Sequence, residues 1–528
     1  MGVLGTSPTL PRRHERGSGN RPVPAHFISS SAFATRSRLE LRGRRSLPPV
    51  TDVAPWVSTM DGVPSIRIDR CNDAPVSPQG RYVLYWMIAA RRTRYSFALD
   101  RAVELGTELD RPVLIFEALR VGYRWASDRL HQFVLDGMKD NEARCRREGV
   151  RYYPYVEPDH GQGAGLLESL AAQACVVVTD EFPCFFLPRM VSAAAPRLPV
   201  RLEQIDSNGL LPLRLAERDY PTAASFRRLV HRHGPTLLHQ SPAADPLVAA
   251  AKLGRARIPR NVLDRWPPAK STMLRGDRSS LLRLPIDHGI APSPFRGGSR
   301  AGEARWRCFV SQRLGRYDQL RNHPDEEGSS GLSPYLHFGH LSSHQALHEL
   351  LATEQWSADR IAPRALGKRQ GYWGLSVAAD AFVDQLVTWR ELGLNLTSRQ
   401  PTSYDRFRIL PDWATKTLQA HARDPKPYRY RLDELICSQT HDEIWNAAQR
   451  QLRQEGVMHN YLRMLWGKKI LEWSSSPRRA LATLIEINNR YATDGRNPNS
   501  HSGILWTLGK FDRPWGPERP IFGTVRYM

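Results

Sequence analysis

Two tryptophans, Trp466 and Trp473, stand seven residues apart in the run MHNYLRMLWGKKILEW (residues 458–473), so one helical face carries both. Glu472 follows Lys468 by four residues and gives the same helix a charged side. By themselves such aromatics read as core anchors. Residues 328–334, GSSGLSP, set three hydroxyls and two glycines before a helical turn with proline near its start. That pattern suits a helix cap, or a cradle of backbone N–H and hydroxyl donors for a diphosphate. His340, His344 and His348 recur every four residues, as zinc ligands on a helix sometimes do. No neighbouring Cys or paired carboxylate completes a site, so they read as a solvated or partly buried face. Glu391 follows Arg390 at the end of a helix running from Asp380, whose apolar stripe is Phe382, Leu386 and Trp389; a surface ion pair with Arg390 is its plain reading. Thr440 and Glu443 form a capping box opening a helix with Trp445, Ala448 and Leu452 on one face.

The elements that would position these groups change character along the chain. Residues 1–78 are rich in Arg, Ser and Pro and are expected to be disordered; residues 29–45 could pass for an organellar transit segment, or translation could start at Met60. From Arg81, short apolar runs (VLYWM at 83–87, VLIF at 113–116, VVVT at 176–179, VRL at 200–202) alternate with helical stretches such as 126–148. This is the pattern of a parallel sheet wrapped by helices over residues 79–239. Gly161, Gly163 and Gly165 do not follow a strand in the way a dinucleotide fingerprint requires. Residues 240–302 read as a Pro-, Arg- and Ser-rich linker with little regular structure, and residues 303–528 as an all-helical domain.

Composition narrows the function classes. The 528 residues suffice for two or three domains and a large core. Lys plus Arg exceed Asp plus Glu by 75 to 53, a net charge of +22, which points to a polyanionic partner such as nucleic acid or else to an Arg-rich composition without a binding role. Six scattered cysteines show no CxxC spacing and read as reduced thiols in a cytosolic protein. No apolar run approaches the roughly 20 residues of a membrane span.

The order and density of several longer motifs carry more. SSGLSPYLHFGHLS (329–342), WREL (389–392), THDEIWNAAQ (440–449), RMLWGKKILEW (463–473), INNRYATDGRNPN (487–499) and ERPIFGTVRYM (518–528) together resemble the class II cyclobutane pyrimidine dimer photolyases of the photolyase/cryptochrome superfamily. The resemblance covers residues 81–528. It implies a Rossmann-like α/β antenna domain followed by an all-α domain that binds FAD. YVLYWM (82–87) and IDSNGLLP (205–212) stand where the family has a strand opening and an antenna motif, with Ser207 and Gly209 departing from it.

Carried over residue by residue, the resemblance implies that Ser329, Ser330, Gly331, Leu332 and Ser333 hold the cofactor's pyrophosphate and that Tyr317 packs on the cofactor. Arg463 and Asp494 would form a flavin-side ion pair, and Asn488 would face flavin N5. Trp445, Trp466 and Trp473 would relay electrons to the flavin, since an indole can be oxidised without first losing a proton. Glu391 would hydrogen-bond the damaged base, with Arg321, Asn322, Met464 and Trp506 contacting lesion or DNA. The run NLTSRQ (395–400), taken as a loop, departs from the family and leaves its substrate contacts unassigned. The implied activity is light-driven splitting of cyclobutane dimers in DNA by a monomeric, cytoplasmic flavoprotein without catalytic metal, served by an optional deazaflavin- or folate-type antenna pigment. A cryptochrome-like photoreceptor without repair, or a non-catalytic DNA-binding module, are the other classes.

Overall fold

The computed structural model describes residues 62–528; the expected disorder of residues 1–61, the transit-like stretch and the alternative start at Met60 lie outside the described residues. Six strands form one sheet: β1 (Ile68–Arg70), β2 (Tyr82–Met87), β3 (Val113–Leu119), β4 (Arg151–Val156), β5 (Ala174–Asp180) and β6 (Leu202–Ile205), in the order β1-β6-β5-β2-β3-β4. All neighbours are parallel except β1 with β6, and Val83 lies level with Val113 on one side and Val176 on the other. β2 is buried at every position, as a central parallel strand covered by helices on both faces must be. β1 falls inside the stretch 1–78 expected to be disordered; Ile68 pairs with Ile205, so the folded sheet begins before Gly80.

Strand order reverses between β2 and β5, where the sheet opens a crevice at the carboxyl ends of its strands. Asp180, at the end of β5, accepts from the N–H groups of Ile88, Ala89 and Ala90 at 2.8, 2.7 and 3.0 Å through one oxygen, and from the Tyr85 hydroxyl through the other. The crevice floor is thereby fixed.

Residues 240–302 are not an irregular linker. They form short helices, Pro246–Lys252, Arg260–Arg265, Ser271–Leu274 and Arg278–Leu281. Each buries a few apolar side chains on the sheet layer: Leu247 and Ala250 on one face, Val262 and Trp266 on the other, Leu274 and Leu281 beside Met138. Pro246 and Pro259 stand at the starts of the first two of these helices, where a missing N–H costs nothing, and Asp277 caps the last.

The C-terminal region is helical, and a buried cluster running from Trp306 through Phe382 to Leu505 forms its core. The helix Asp128–Glu148 stitches it to the sheet through Arg129, which is 1 % exposed. Its guanidinium donates to the carbonyls of Ala291, Leu452, Tyr491, Arg453 and Gln454, gathering the ends of two helices of the other half. Burial lowers the Arg129 pKa to about 10, leaving it charged at neutral pH. Replacing Arg129 by Leu strands several buried carbonyls and is expected to destabilise the fold by about 3 kcal/mol, read as a fall in the urea midpoint.

Candidate functional site

Asp442 opens the helix Glu443–Glu455 by accepting from the N–H of Trp445 at 2.9 Å. The cap is thus Asp442, not the expected Thr440, whose hydroxyl binds the Asn446 side chain instead. His459 caps the helix Asn460–Trp473 through Nδ1. These two helices bring the three candidate tryptophans into one contiguous array. Trp445 and Trp466 lie parallel with centroids 6.3 Å apart, and Trp445 meets Trp473 edge-on at 5.4 Å. Their order is therefore Trp466, Trp445, Trp473, although the outer two share a helix. All three are buried. The Trp466 indole N–H donates to Gln449 Oε1 at 2.9 Å and that of Trp445 to the Trp466 carbonyl at 3.2 Å.

Arg463, on the same helix as Trp466, forms a two-pronged pair with Asp494, with contacts of 3.1–3.2 Å. Ser333 Oγ donates to the second Asp494 oxygen at 2.6 Å. Burial alone would raise the Asp494 carboxyl, but the Arg463 charge and these hydrogen bonds prevail and hold it below its ordinary value. Ser333 begins the turn Ser333–His337, which no side chain caps. In the approach to it, a Cβ on Gly328 would lie 2.6 Å from the Leu320 carbonyl carbon, and Gly331, at φ 67°, leaves room for Arg305, whose Nε donates to the Ser330 carbonyl. Of the two readings of GSSGLSP, a side-chain cap is thus not what this turn uses its hydroxyls for; Ser329 stays exposed and Ser330 partly so. Hydroxyls, backbone donors and a partly buried Arg–Asp pair in one place fit the diphosphate and ring edge of a dinucleotide cofactor.

Asn488 is buried on the helix Pro477–Tyr491, where its amide donates to Asn489 Oδ1 and Ser500 Oγ. Tyr317 is packed edge-on against Phe309 and Phe382, with Arg321 over its ring and Asn322 exposed beside it. Met464 and Trp506 come from neighbouring helices that approach closely at two glycines: a Cβ on Gly467 would meet Thr507 at 2.8 Å, and one on Gly503 would reach Met464. Lys468 is buried between them, its Nζ donating to the Thr507 carbonyl at 2.7 Å and lying 5.4 Å from the Trp506 ring.

Glu391 is not with these groups. The expected helix end is instead a continuous rod, Val377–Val383, a π-helical turn Asp384–Trp389 and Arg390–Arg399. The Glu391 carboxylate accepts from the N–H of Leu210 at 2.5 Å and of Leu211 at 3.0 Å, beneath Gly209, where any Cβ would collide with it. Burial raises the carboxyl to about 7 against those N–H groups, Arg390 and Arg67. Both oxygens are engaged by the sheet half, which corrects the expected substrate contact to an anchor between the two halves. Residues 395–399 likewise belong to this helix rather than to a loop; Asn395 holds Tyr220 N–H and the Arg218 carbonyl.

His340, His344 and His348 also serve packing. His340 stacks on Phe133 and accepts from the Gly298 N–H, His344 meets Phe97 edge-on, and His348 lies 3.3 Å from the Ser241 hydroxyl. Unforeseen in the sequence is a cavity of about 350 Å³ at the crevice of the sheet, lined by Trp86, Tyr123, Tyr155, Phe185, Arg91 and Arg496 among others, with the loop of Gly161, Gly163 and Gly165 at its rim. The cluster of aromatics at 182–186, following a strand end, was its sequence signal.

Against curated proteins, the chain is 33% identical over 464 residues to a deoxyribodipyrimidine photo-lyase of Methanothermobacter thermautotrophicus, covering 88% of this chain and 94% of that one. It is 40% identical over 478 residues to one of Oryza sativa subsp. japonica, covering 85% and 84%. The chain belongs to the photolyase family. No family model matches it. Among solved structures, a bacterial class III photolyase from Agrobacterium tumefaciens superposes with a TM-score of 0.59 at 17% identity, over 83% of this chain and 82% of that one, which shows the shared fold. The photolyase relatives span both halves, so the sheet and the helical region form one inherited unit.

Arg463→Ala would leave Asp494 buried without its partner, and the expected cost is about 3–5 kcal/mol in urea unfolding, with Arg463→Lys losing less. Burial brings the Lys468 ammonium down from 10.5 to about 7. Between those values the unfolded chain binds the extra proton and the folded one does not, so this group makes stability rise as pH increases from about 7 towards 10.5. Lys468→Met should flatten the pH dependence of the urea midpoint over that window.

Proposed function

We propose that this protein repairs cyclobutane pyrimidine dimers in DNA with light, as a class II photolyase carrying FAD. The observation that carries the reading is the contiguous indole array beside the Arg463–Asp494–Ser333 cluster, in a chain of the photolyase family. When bound in its reduced form, FAD supplies one light-driven electron that opens the dimer and is then returned, so the reaction has no net redox change and needs no metal. Ser329, Ser330, Gly331, Leu332 and Ser333 hold the pyrophosphate, Tyr317 packs on the cofactor, and Arg463 with Asp494 and Asn488 border the ring that does the chemistry. Trp466, Trp445 and Trp473 conduct electrons inward when the cofactor must be reduced. Arg321, Asn322, Met464 and Trp506 contact the flipped lesion and its phosphates, and the +22 charge holds DNA through counterion release. The cavity at the sheet crevice takes a planar antenna pigment of deazaflavin or folate type. The protein works as a monomer in the cytoplasm, and no helix among the described residues is long and apolar enough to cross a membrane.

A photoreceptor without repair is the second reading, favoured by one observation: the carboxylate expected at the lesion, Glu391, is held by Leu210 and Leu211. The deciding experiment mixes purified, photoreduced protein with an oligonucleotide carrying one thymine cyclobutane dimer and follows repair under blue light and in the dark. Light-dependent restoration is expected, weakened in Trp506→Ala through loss of lesion binding. Trp466→Phe should abolish photoreduction while leaving repair by chemically reduced protein intact. Reducible flavin without repair establishes the photoreceptor reading; protein without flavin overturns both.

A further inference from the structure

Met464 and Trp506 come from two helices held in register by a buried cation that the reaction leaves unused. Met464 and Lys468 stand one turn apart on Asn460–Trp473, and Gly503 and Thr507 one turn apart on Pro498–Thr507. The two turns face each other: a Cβ on Gly503 would lie 3.8 Å from the Met464 methyl, and one on Gly467 2.8 Å from the Thr507 methyl. Lys468 follows Gly467 into this contact and is 2 % exposed. Its Nζ donates to the Thr507 carbonyl at 2.7 Å, a carbonyl that the end of the helix leaves without a donor of its own. The same ammonium lies 5.4 Å from the centre of the Trp506 ring. A cation at a helix C-terminus meets the negative end of the dipole, and a cation at an indole meets its electron-rich face, so both contacts favour the charged form.

Burial works against that charge and brings the ammonium down to about 7. Of the charged groups around it, Asp512 favours the ammonium and Arg526 opposes it. Arg526 lies 5.6 Å from the Trp506 ring and donates to Asp512 at 2.9 Å. On the helix of Lys468 itself, Arg463 pairs with Asp494 and Lys469 with Glu472, and beyond Trp506 Lys510 pairs with Asp219. Trp506 is partly exposed at the last turn of its helix. A ligand that docks on a ring in such a place must immobilise it, at a cost in affinity, unless the protein has already done so.

We infer that Lys468 is a positioning residue for lesion binding: its ammonium ties the end of the Trp506 helix to the Met464 helix and seats the indole, so that the dimer meets a fixed ring. This rests on the proposed role of Trp506 at the lesion. The phosphates of bound DNA favour the charged form, so dimer binding and protonation of Lys468 reinforce one another. Binding is then tightest where the free protein already carries the ammonium, below about 7, and weakens as pH rises through that value towards the higher one of the complex. A neutral side chain of similar size loses the grip at every pH. A guanidinium, charged throughout, keeps it and removes the pH dependence.

The test measures equilibrium binding, in the dark, of the flavin-loaded full chain to an oligonucleotide carrying one thymine cyclobutane dimer and to its undamaged counterpart. Wild-type affinity for the dimer should fall about tenfold from about pH 6 to about pH 9. Lys468→Met should bind the dimer at the weaker level throughout, Lys468→Arg at the tighter level throughout, and all three should bind undamaged DNA alike. Lys468→Met added to Trp506→Ala should weaken dimer binding no further than Trp506→Ala alone. Losses that multiply in the double variant, a Lys468→Arg as weak as Lys468→Met, or an equal loss on undamaged DNA overturns the inference. A second arm needs no DNA: in protein labelled with 5-fluorotryptophan, the Trp506 fluorine resonance, identified by its absence in Trp506→Phe, should titrate near pH 7 in the wild type and stay fixed in Lys468→Met. A resonance indifferent to pH in the wild type overturns the inference whatever the binding shows. A titrating resonance with undiminished dimer binding in Trp506→Ala overturns the lesion role of Trp506 and leaves the grip of Lys468 on the ring standing.

Discussion

Buried guanidinium groups bonded to main-chain carbonyls hold this molecule together. Arg129 reaches five carbonyls, Arg92 binds those of Gly339 and Ser207, and Arg67 those of Asp206, Gly209 and Leu210. Desolvation lowers each of these arginines, yet at about 10 for Arg92 and Arg129 they remain charged. Carbonyl clusters at helix ends and loop corners have no other donors, so the cations answer a demand that the backbone itself creates. Among the described residues more carboxylates than cations are buried, so the exposed surface keeps the basic excess of the composition, while these arginines fix the alignment of the sheet and helical halves.

The same logic places Glu391. Its carboxylate caps two consecutive N–H groups in the 205–212 segment, and Gly209 supplies the clearance. Ser207 and Gly209 depart from the family's antenna motif, and both are used here for packing: the Ser207 hydroxyl accepts from Ala98 N–H and Gly209 admits Glu391. A departure that looks functional in sequence is thus tied to how this chain joins its halves.

Much of the architecture was legible because its signals are local. The apolar runs at 83–87, 113–116 and 176–179 have no polar alternation and became the buried centre of a parallel sheet, and the spacing of Trp466 and Trp473 gave their shared helix. What was illegible depends on distant partners. Nothing near Ile68 foretells that it pairs with Ile205, and nothing near Glu391 tells that its acceptors are needed 180 residues away. Asp442 displaced Thr440 as cap because Thr440 had a better partner in Asn446. The order of the tryptophans was hidden for the same reason: Trp445 lies between two residues of another helix, a fact of packing and not of spacing.

That interleaving has a mechanical corollary. Trp466 and Trp473 are locked at a fixed separation by one helix, whereas the ring that bridges them rides on the helix Glu443–Glu455, seated by the Asp442 cap and by Gln449. The array is a splice between two helices, and a small displacement of one relative to the other would change both gaps at once without unfolding either. In the proposed relay, conductance along the indoles would act as a strain gauge for this helix pair, and a substitution far from any aromatic, such as one that loosens the grip of Arg129 on the carbonyl end of Glu443–Glu455, would register as a dimmed current.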